Sequence, residues 1–170
     1  MRIILVRHGP AGTRDASQWP DDGLRPLTAR GIQRTEVAAC GLARLEHSPG
    51  ELLSSPLVRA TMTAEILRRA LTFEGDVVTF DALAPGGSIR AIVRRLAESR
   101  QDDEIFLVGH EPDLGRLAGS LLFGTPDAPL PLKKAGVCAV DLDGPVEPGG
   151  ARLRYFLPPR LLRAVGTGED

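Results

Sequence analysis

At 170 residues, with 42% hydrophobic and 25% charged positions, the chain suits one soluble domain with a sizeable core. A formal net charge of -1 gives no bulk attraction to nucleic acid or a membrane surface, so any anion site has to be local. Two cysteines are too few for a disulfide framework, and no stretch is long and apolar enough to span a bilayer.

The first element is a continuous apolar run, Ile3 to Val6, of the kind that forms a strand buried on both faces. It exits into Arg7-His8-Gly9, although neither a strand nor a core needs that pair. One basic residue ahead of a short apolar run does not make a signal peptide, and a cytoplasmic address is expected. Arg14 to Pro26 is polar and proline-bearing, a loop anchored by Trp19. Thr28 is placed to cap a helix that carries Ile32, Ala39 and Leu42 inward to about Leu45 and stops at Ser48-Pro49-Gly50.

Leu52 and Leu53 form a second short strand that exits into Ser54-Ser55-Pro56. Ser55 can cap the next helix with Pro56 at its first position. Leu57, Ala60, Ala64, Leu67 and Leu71 then share one face. Asp76 to Phe80 alternates as a strand, Pro85-Gly86-Gly87 turns, and Ser88 opens a helix bearing Ile89, Ile92, Val93 and Leu96. Glu104 to Val108 repeats the opening pattern and exits into Gly109-His110, after which Pro112 starts a helix. Val137 to Leu142 and Leu153 to Leu157 are strands joined by a Gly/Pro turn. The expected domain is 1–158, with 159–170 as a tail. Strands alternating with helices predict an α/β domain around a largely parallel sheet. Cys40, in a helix, and Cys138, in a strand, are both expected to be small buried hydrophobes.

Ligands of open parallel sheets bind beyond the carboxyl ends of the strands. If the three strands are neighbours, Arg7-His8, Ser54-Ser55-Pro56 and Gly109-His110 meet at one edge. Arg59, in the first turn of its helix, adds paired donors suited to phosphate oxygens, with a solvated surface arginine as the alternative. A neutral imidazole is a competent nucleophile towards phosphorus, and nearby arginines disfavour its protonation. The same arginines neutralise the oxygens of a phosphoryl group in transfer. One histidine at a strand exit reads as structural. Two at matching exits, with Arg7 and Arg59, favour chemistry. His47 has no such context and is expected at the surface. A metal site at His8 and His110 lacks the carboxylates or Cys/His cluster that would complete it, and Arg7 would repel a divalent cation. No metal or other cofactor is expected.

LVRHG, RPLT-x-x-G, SSP-x-x-RA-x-x-TA and VGH, in that order from Arg2 to about Leu122, resemble the histidine phosphatase superfamily, which also contains the cofactor-dependent phosphoglycerate mutases. Within it, the short length and the RPLT segment resemble the small bacterial phosphohistidine phosphatases of the SixA group. The resemblance implies a three-layer α/β/α, phosphoglycerate mutase-like fold. It implies that His8 becomes phosphorylated, that Arg7 and Arg59 bind phosphoryl oxygens, and that His110 donates a hydrogen bond. Arg25 of RPLT would guard the entrance or touch the substrate. A phosphorylated protein, such as a histidine phosphotransfer domain, is the implied partner. Larger relatives carry a glutamate general acid on an insertion absent here, and Asp22 and Glu111 are weak candidates to replace it. Phosphohistidine leaves as imidazole and needs less acid help than an alkoxide, which favours a phosphoramidate substrate. The alternatives are a phosphatase for small phosphomonoesters or polyphosphate, and a catalytically silent phosphate-binding module. Mutase activity fits less well, because the chain has little to build a closing lid.

Overall fold

In the computed structural model, residues 1–46, 49–100 and 103–168 are described. His47 and Ser48, and with them the expectation of a surface histidine, lie outside the described residues. Six strands form one sheet in the order β3-β2-β4-β1-β5-β6. Strands β1 (Arg2–Arg7), β2 (Glu51–Ser54), β3 (Val77–Thr79) and β4 (Glu104–Gly109) run parallel. Strand β5 (Val137–Leu142) runs antiparallel to β1, and β6 (Ala151–Leu157) returns beside it.

Every second side chain on the central strands enters a different core, because the strand period is two. Ile3 and Leu5 of β1, with Ile105 and Leu107 of β4, face one cluster that also holds Ile92 and Leu96 of α3 (Ile89–Ala97) and Leu114 and Leu117 of α4 (Asp113–Phe123). Ile4, Val6, Phe106 and Val108 face the other. There they meet Leu42 of α1 (Ala29–Ala43), Ala60 and Leu67 of α2 (Val58–Ala70), and Leu162 of α5 (Pro159–Thr167). The result is a three-layer α/β/α sandwich with a mostly parallel sheet. Both faces are covered, which explains why β1 and β4 read as unbroken apolar runs.

Thr28 Oγ1 accepts from Gly31 N and caps α1, as expected, and Ser88 Oγ caps α3 through Ala91 N. Three expectations need correcting. Cys40 is exposed, because the buried side of α1 carries Thr35, Ala38, Ala39 and Leu42, and Cys40 projects from the opposite side. Cys138 alone is buried, and burial pushes its thiol up to about 12. Helix α2 starts at Val58, past Pro56, because Ser55 and Pro56 are still in the turn that leaves β2. The segment after Pro158 is helical: Leu162 is 1% exposed against α1, so α5 is part of the packed fold.

Candidate active site

Strands β2, β4 and β1 are adjacent and parallel, so their carboxyl ends share one edge of the sheet. Arg7 pairs with Gly109 in register, which sets His8 and His110 side by side just beyond the strands. Their ring centroids are 5.0 Å apart. A cavity of about 270 Å³ opens there, with Arg7, His8, Arg59 and His110 in its lining. Arg25 and Asp22 line it from the loop before α1, and Glu111 lines it from the start of α4. Sequence reasoning missed Arg14, on the same loop as Asp22 and Arg25, and Pro85 and Lys134, which complete the wall from two other loops.

A tight backbone frame holds His8. Its main-chain N–H donates to Gly109 O at 3.0 Å, and Ala135 N donates to the carbonyls of Arg7 and His8. Gly9 N donates to Thr63 Oγ1 at 2.9 Å, and a side chain at Gly9 would meet Thr35 Oγ1 at 2.2 Å. Glycine there is a requirement of close packing between β1, α1 and α2. His8 Nδ1 lies 2.7 Å from Gly9 O. A carbonyl can only accept, so Nδ1 carries the ring proton and Nε2 keeps its lone pair. Burial, joined by the positive surroundings of Arg59 and Arg7, lowers the His8 pKa to about 3, so the ring is neutral at pH 7.

His110 is held differently. Its Nε2 lies 2.8 Å from Ser55 Oγ, and that hydroxyl already accepts from Leu57 N at 3.3 Å. We assign the hydroxyl proton to Nε2, which leaves Nδ1–H as the donor of the second histidine. Burial first, then Arg59 and Arg7, brings its pKa down to about 4. Ser55, expected only as a helix cap, is thus the partner of His110. Thr63 was visible in the motif but had no assigned task. It bonds both Gly9 N and Arg59 O, tying the first strand exit to α2.

Arg59 is buried at 4% exposure, which rules out the alternative of a solvated surface arginine. It lies close to the start of α2, where the helix turns in below the loop that carries Asp22. Arg59 Nη1 donates to Asp22 O at 2.8 Å, and Nη2 lies 3.1 Å from Asp22 Oδ2. Arg7 Nη1 donates to Leu132 O at 2.8 Å. The Nε atoms of both arginines are buried and, among the described residues, have no hydrogen-bond partner. Two unpaired buried donors on charged groups are costly.

Arg25 donates through Nε to Asp22 Oδ1 at 2.8 Å and through Nη1 to Gly12 O at 2.6 Å, so it braces the loop as well as lining the cavity. The Arg25 hydrogen bond, reinforced by the Arg59 charge, holds the Asp22 carboxyl below its ordinary value, which makes it a poor proton donor. Glu111 accepts from Leu132 N at 2.9 Å and so steadies the same turn that binds Arg7. Burial raises its pKa against the pull of the Leu132 and Gly115 amides. Among the described residues, no group of three or more His, Cys, Asp or Glu side chains is placed to hold a metal ion. A cleft of about 380 Å³ lies at the amino ends of the strands, but its charges are spent on one another, with Arg2 paired to both Glu104 and Asp141.

The family model described as histidine phosphatase superfamily (branch 1) matches residues 3–84, the span holding Arg7, His8, Arg25 and Arg59. Phosphohistidine phosphatase SixA of Escherichia coli is 25% identical over 165 residues, 96% of this chain and 97% of that protein. The chain belongs to the histidine phosphatase superfamily. A protein of Picosynechococcus sp. with no assigned function is 42% identical over 139 residues, 81% of this chain and 82% of that protein. Among solved structures, the protein histidine phosphatase SixA complexed with tungstate shares the fold, with a TM-score of 0.83 at 24% identity, covering 95% of this chain and 99% of that one. Membership in this superfamily supports phosphatase chemistry for the chain. No helix among the described residues is long and apolar enough to cross a membrane.

Proposed function

We propose that the protein is a phosphohistidine phosphatase that works through a covalent phosphohistidine at His8. The observation that carries this reading is the state of His8: a neutral ring whose Nδ1–H is committed to Gly9 O, leaving a free Nε2 lone pair beside two arginines with unpaired Nε–H groups. Nε2 attacks phosphorus as the bond to the leaving imidazole of the substrate breaks, and that imidazole takes up a proton. Water then attacks the phosphoryl group on His8, the P–N bond breaks, and orthophosphate leaves with His8 neutral again. Gly9 O stabilises the positive charge that develops on the His8 ring during attack. Arg7, Arg59 and the Nδ1–H of His110 face the phosphoryl oxygens, whose charge they neutralise in both steps.

Support for the substrate class comes from two sides. The relative that matches across nearly its whole length is named a phosphohistidine phosphatase, and a structure of similar fold binds tungstate, an oxyanion of phosphate shape. The two carboxyls nearest the site are both occupied, Asp22 by arginines and Glu111 by a backbone amide. An imidazole leaving group tolerates that lack of a free acid better than an alkoxide does. A phosphorylated protein, rather than a small metabolite, is the partner that fits this reading, and a cytoplasmic location fits such a partner.

The decisive experiment compares wild type with His8→Ala on 4-nitrophenyl phosphate and on a phosphohistidine protein. Hydrolysis of both should vanish in the variant, and wild type should prefer the phosphoramidate. Equal turnover by the two proteins would dismiss His8 as nucleophile. A preference for phosphoserine peptides or sugar phosphates would move the substrate to phosphomonoesters.

A further inference from the structure

Asp22 puts a fixed negative charge in the wall of a cavity whose lining also carries four arginines, Lys134 and Glu111. The carboxylate spans Arg59 Nη2 at 3.1 Å and Arg25 Nε at 2.8 Å, and the main-chain oxygen of the same residue takes Arg59 Nη1. One residue therefore engages both terminal nitrogens of Arg59, whose Nε is buried and, among the described residues, without a hydrogen-bond partner. Its side chain is 28% exposed and lines the same cavity as His8 and His110. A cup built only to hold phosphate tightly would do better without this carboxylate, because it offsets part of the positive charge that binds the anion.

The position suggests what the carboxylate achieves. In-line attack by His8 Nε2 sends the leaving group to the side away from His8, within a cavity that Asp22 also lines. A leaving group with its own negative charge meets a carboxylate that is held in place by two buried arginines. Arg25 and Arg59 offset part of the carboxylate's charge, while Arg14, 83% exposed and 3.8 Å from Asp22, and the exposed Lys134 add little because water screens them.

We infer that Asp22 is a specificity-determining residue: its carboxylate, in the wall of the cavity that holds His8, disfavours substrates carrying a second anion beside the phosphoryl group. The inference rests on the proposed phosphoryl chemistry at His8. It selects for neutral leaving groups such as imidazole over carboxylated or multiply phosphorylated metabolites, and it limits retention of orthophosphate.

The test uses wild type, Asp22→Asn, Asp22→Ser and Asp22→Glu. Orthophosphate binding is read by calorimetry, which needs no turnover. The ratio of kcat/KM for 3-carboxy-4-nitrophenyl phosphate over 4-nitrophenyl phosphate is read by absorbance. Both neutral variants should bind orthophosphate about three- to tenfold tighter and raise the ratio by a similar factor, while Asp22→Glu keeps the wild-type ratio. Unchanged or weaker phosphate binding in the folded neutral variants, or an unchanged ratio, would reduce Asp22 to a brace for the loop. Two neutral variants guard against one that fails to fold. Failure of the His8 reading would show separately, as equal turnover by wild type and His8→Ala.

Discussion

At the scale of single residues, the site depends on two imidazoles kept neutral in a place that water and protons reach poorly. His8 and His110 have folded pKa values of about 3 and about 4, against an ordinary 6.5. In the window from about 4 to 6.5 the unfolded chain takes up protons that the folded chain refuses. Stability is therefore complete above that window and falls as the pH drops through it, by about 1.4 kcal/mol per pH unit for each histidine. Thermal melts between pH 7.5 and 4.5, in buffer free of phosphate, should show this slope. A His8→Gln, His110→Gln double variant should flatten it, and an unchanged slope would mean that other groups titrate there. The depressed carboxyls of Asp22 and Asp141 lose their stabilising partners only below their ordinary 3.8, so they do not blur the result. The sequence made both histidines legible through their strand exits. It could not show that Ser55 turns to His110 or that Thr63 clamps Gly9, because serine and threonine near helix starts are common caps and carry no separate mark.

At the scale of elements, short apolar or alternating runs predicted the six strands and the period of 3.6 the first four helices, because burial on a regular backbone leaves a regular pattern. The ends of elements were less legible, and α2 shows why at both ends. Its start is displaced from Pro56 to Val58 by the turn that delivers Ser55 to His110. Its end is a Schellman motif: Phe73 N donates to Arg68 O at 2.9 Å and Thr72 N to Arg69 O at 3.2 Å. The residue in the left-handed conformation is Thr72, with φ of 51°, where glycine is the usual occupant. A β-branched side chain is strained there, so Thr72→Gly should stabilise the protein by about 1 kcal/mol and raise its Tm by a few degrees. A lower Tm would mean that the exposed threonine side chain, whose Oγ1 donates to Leu71 O at 2.8 Å, contributes more than its backbone loses.

At the scale of the whole molecule, the chain is closed by contacts between residues far apart in sequence. Arg2 reaches Glu46, Glu104 and Asp141 at the amino edge of the sheet, and Tyr155 donates to the fully buried Glu46 at 2.6 Å. Helix α5 seats on α1 through two glycines. A side chain at Gly41 would sit 1.9 Å from Leu162 O, and one at Gly166 would sit 2.1 Å from Val37 O. Gly41→Ala should force the two helices apart and lower stability by about 2 kcal/mol in urea unfolding. Unaltered unfolding would show that α5 is not integral to the cooperative unit. This docking was hidden from sequence reading because glycine inside a helix argues locally against the helix. Its value lies in what approaches it from the far end of the chain.

The order of apolar runs and the residues at their exits were sufficient to predict the α/β class, the largely parallel sheet and the convergence of Arg7, His8, Arg59 and His110 on one cavity, since backbone periodicity and strand direction are written locally. Only the tertiary structure decided that Arg59 is buried rather than solvated, that Asp22 faces the arginines it partly neutralises, and that the last helix belongs to the core. Each of those depends on which distant group arrives opposite a given side chain, and burial and charge are properties of that pairing.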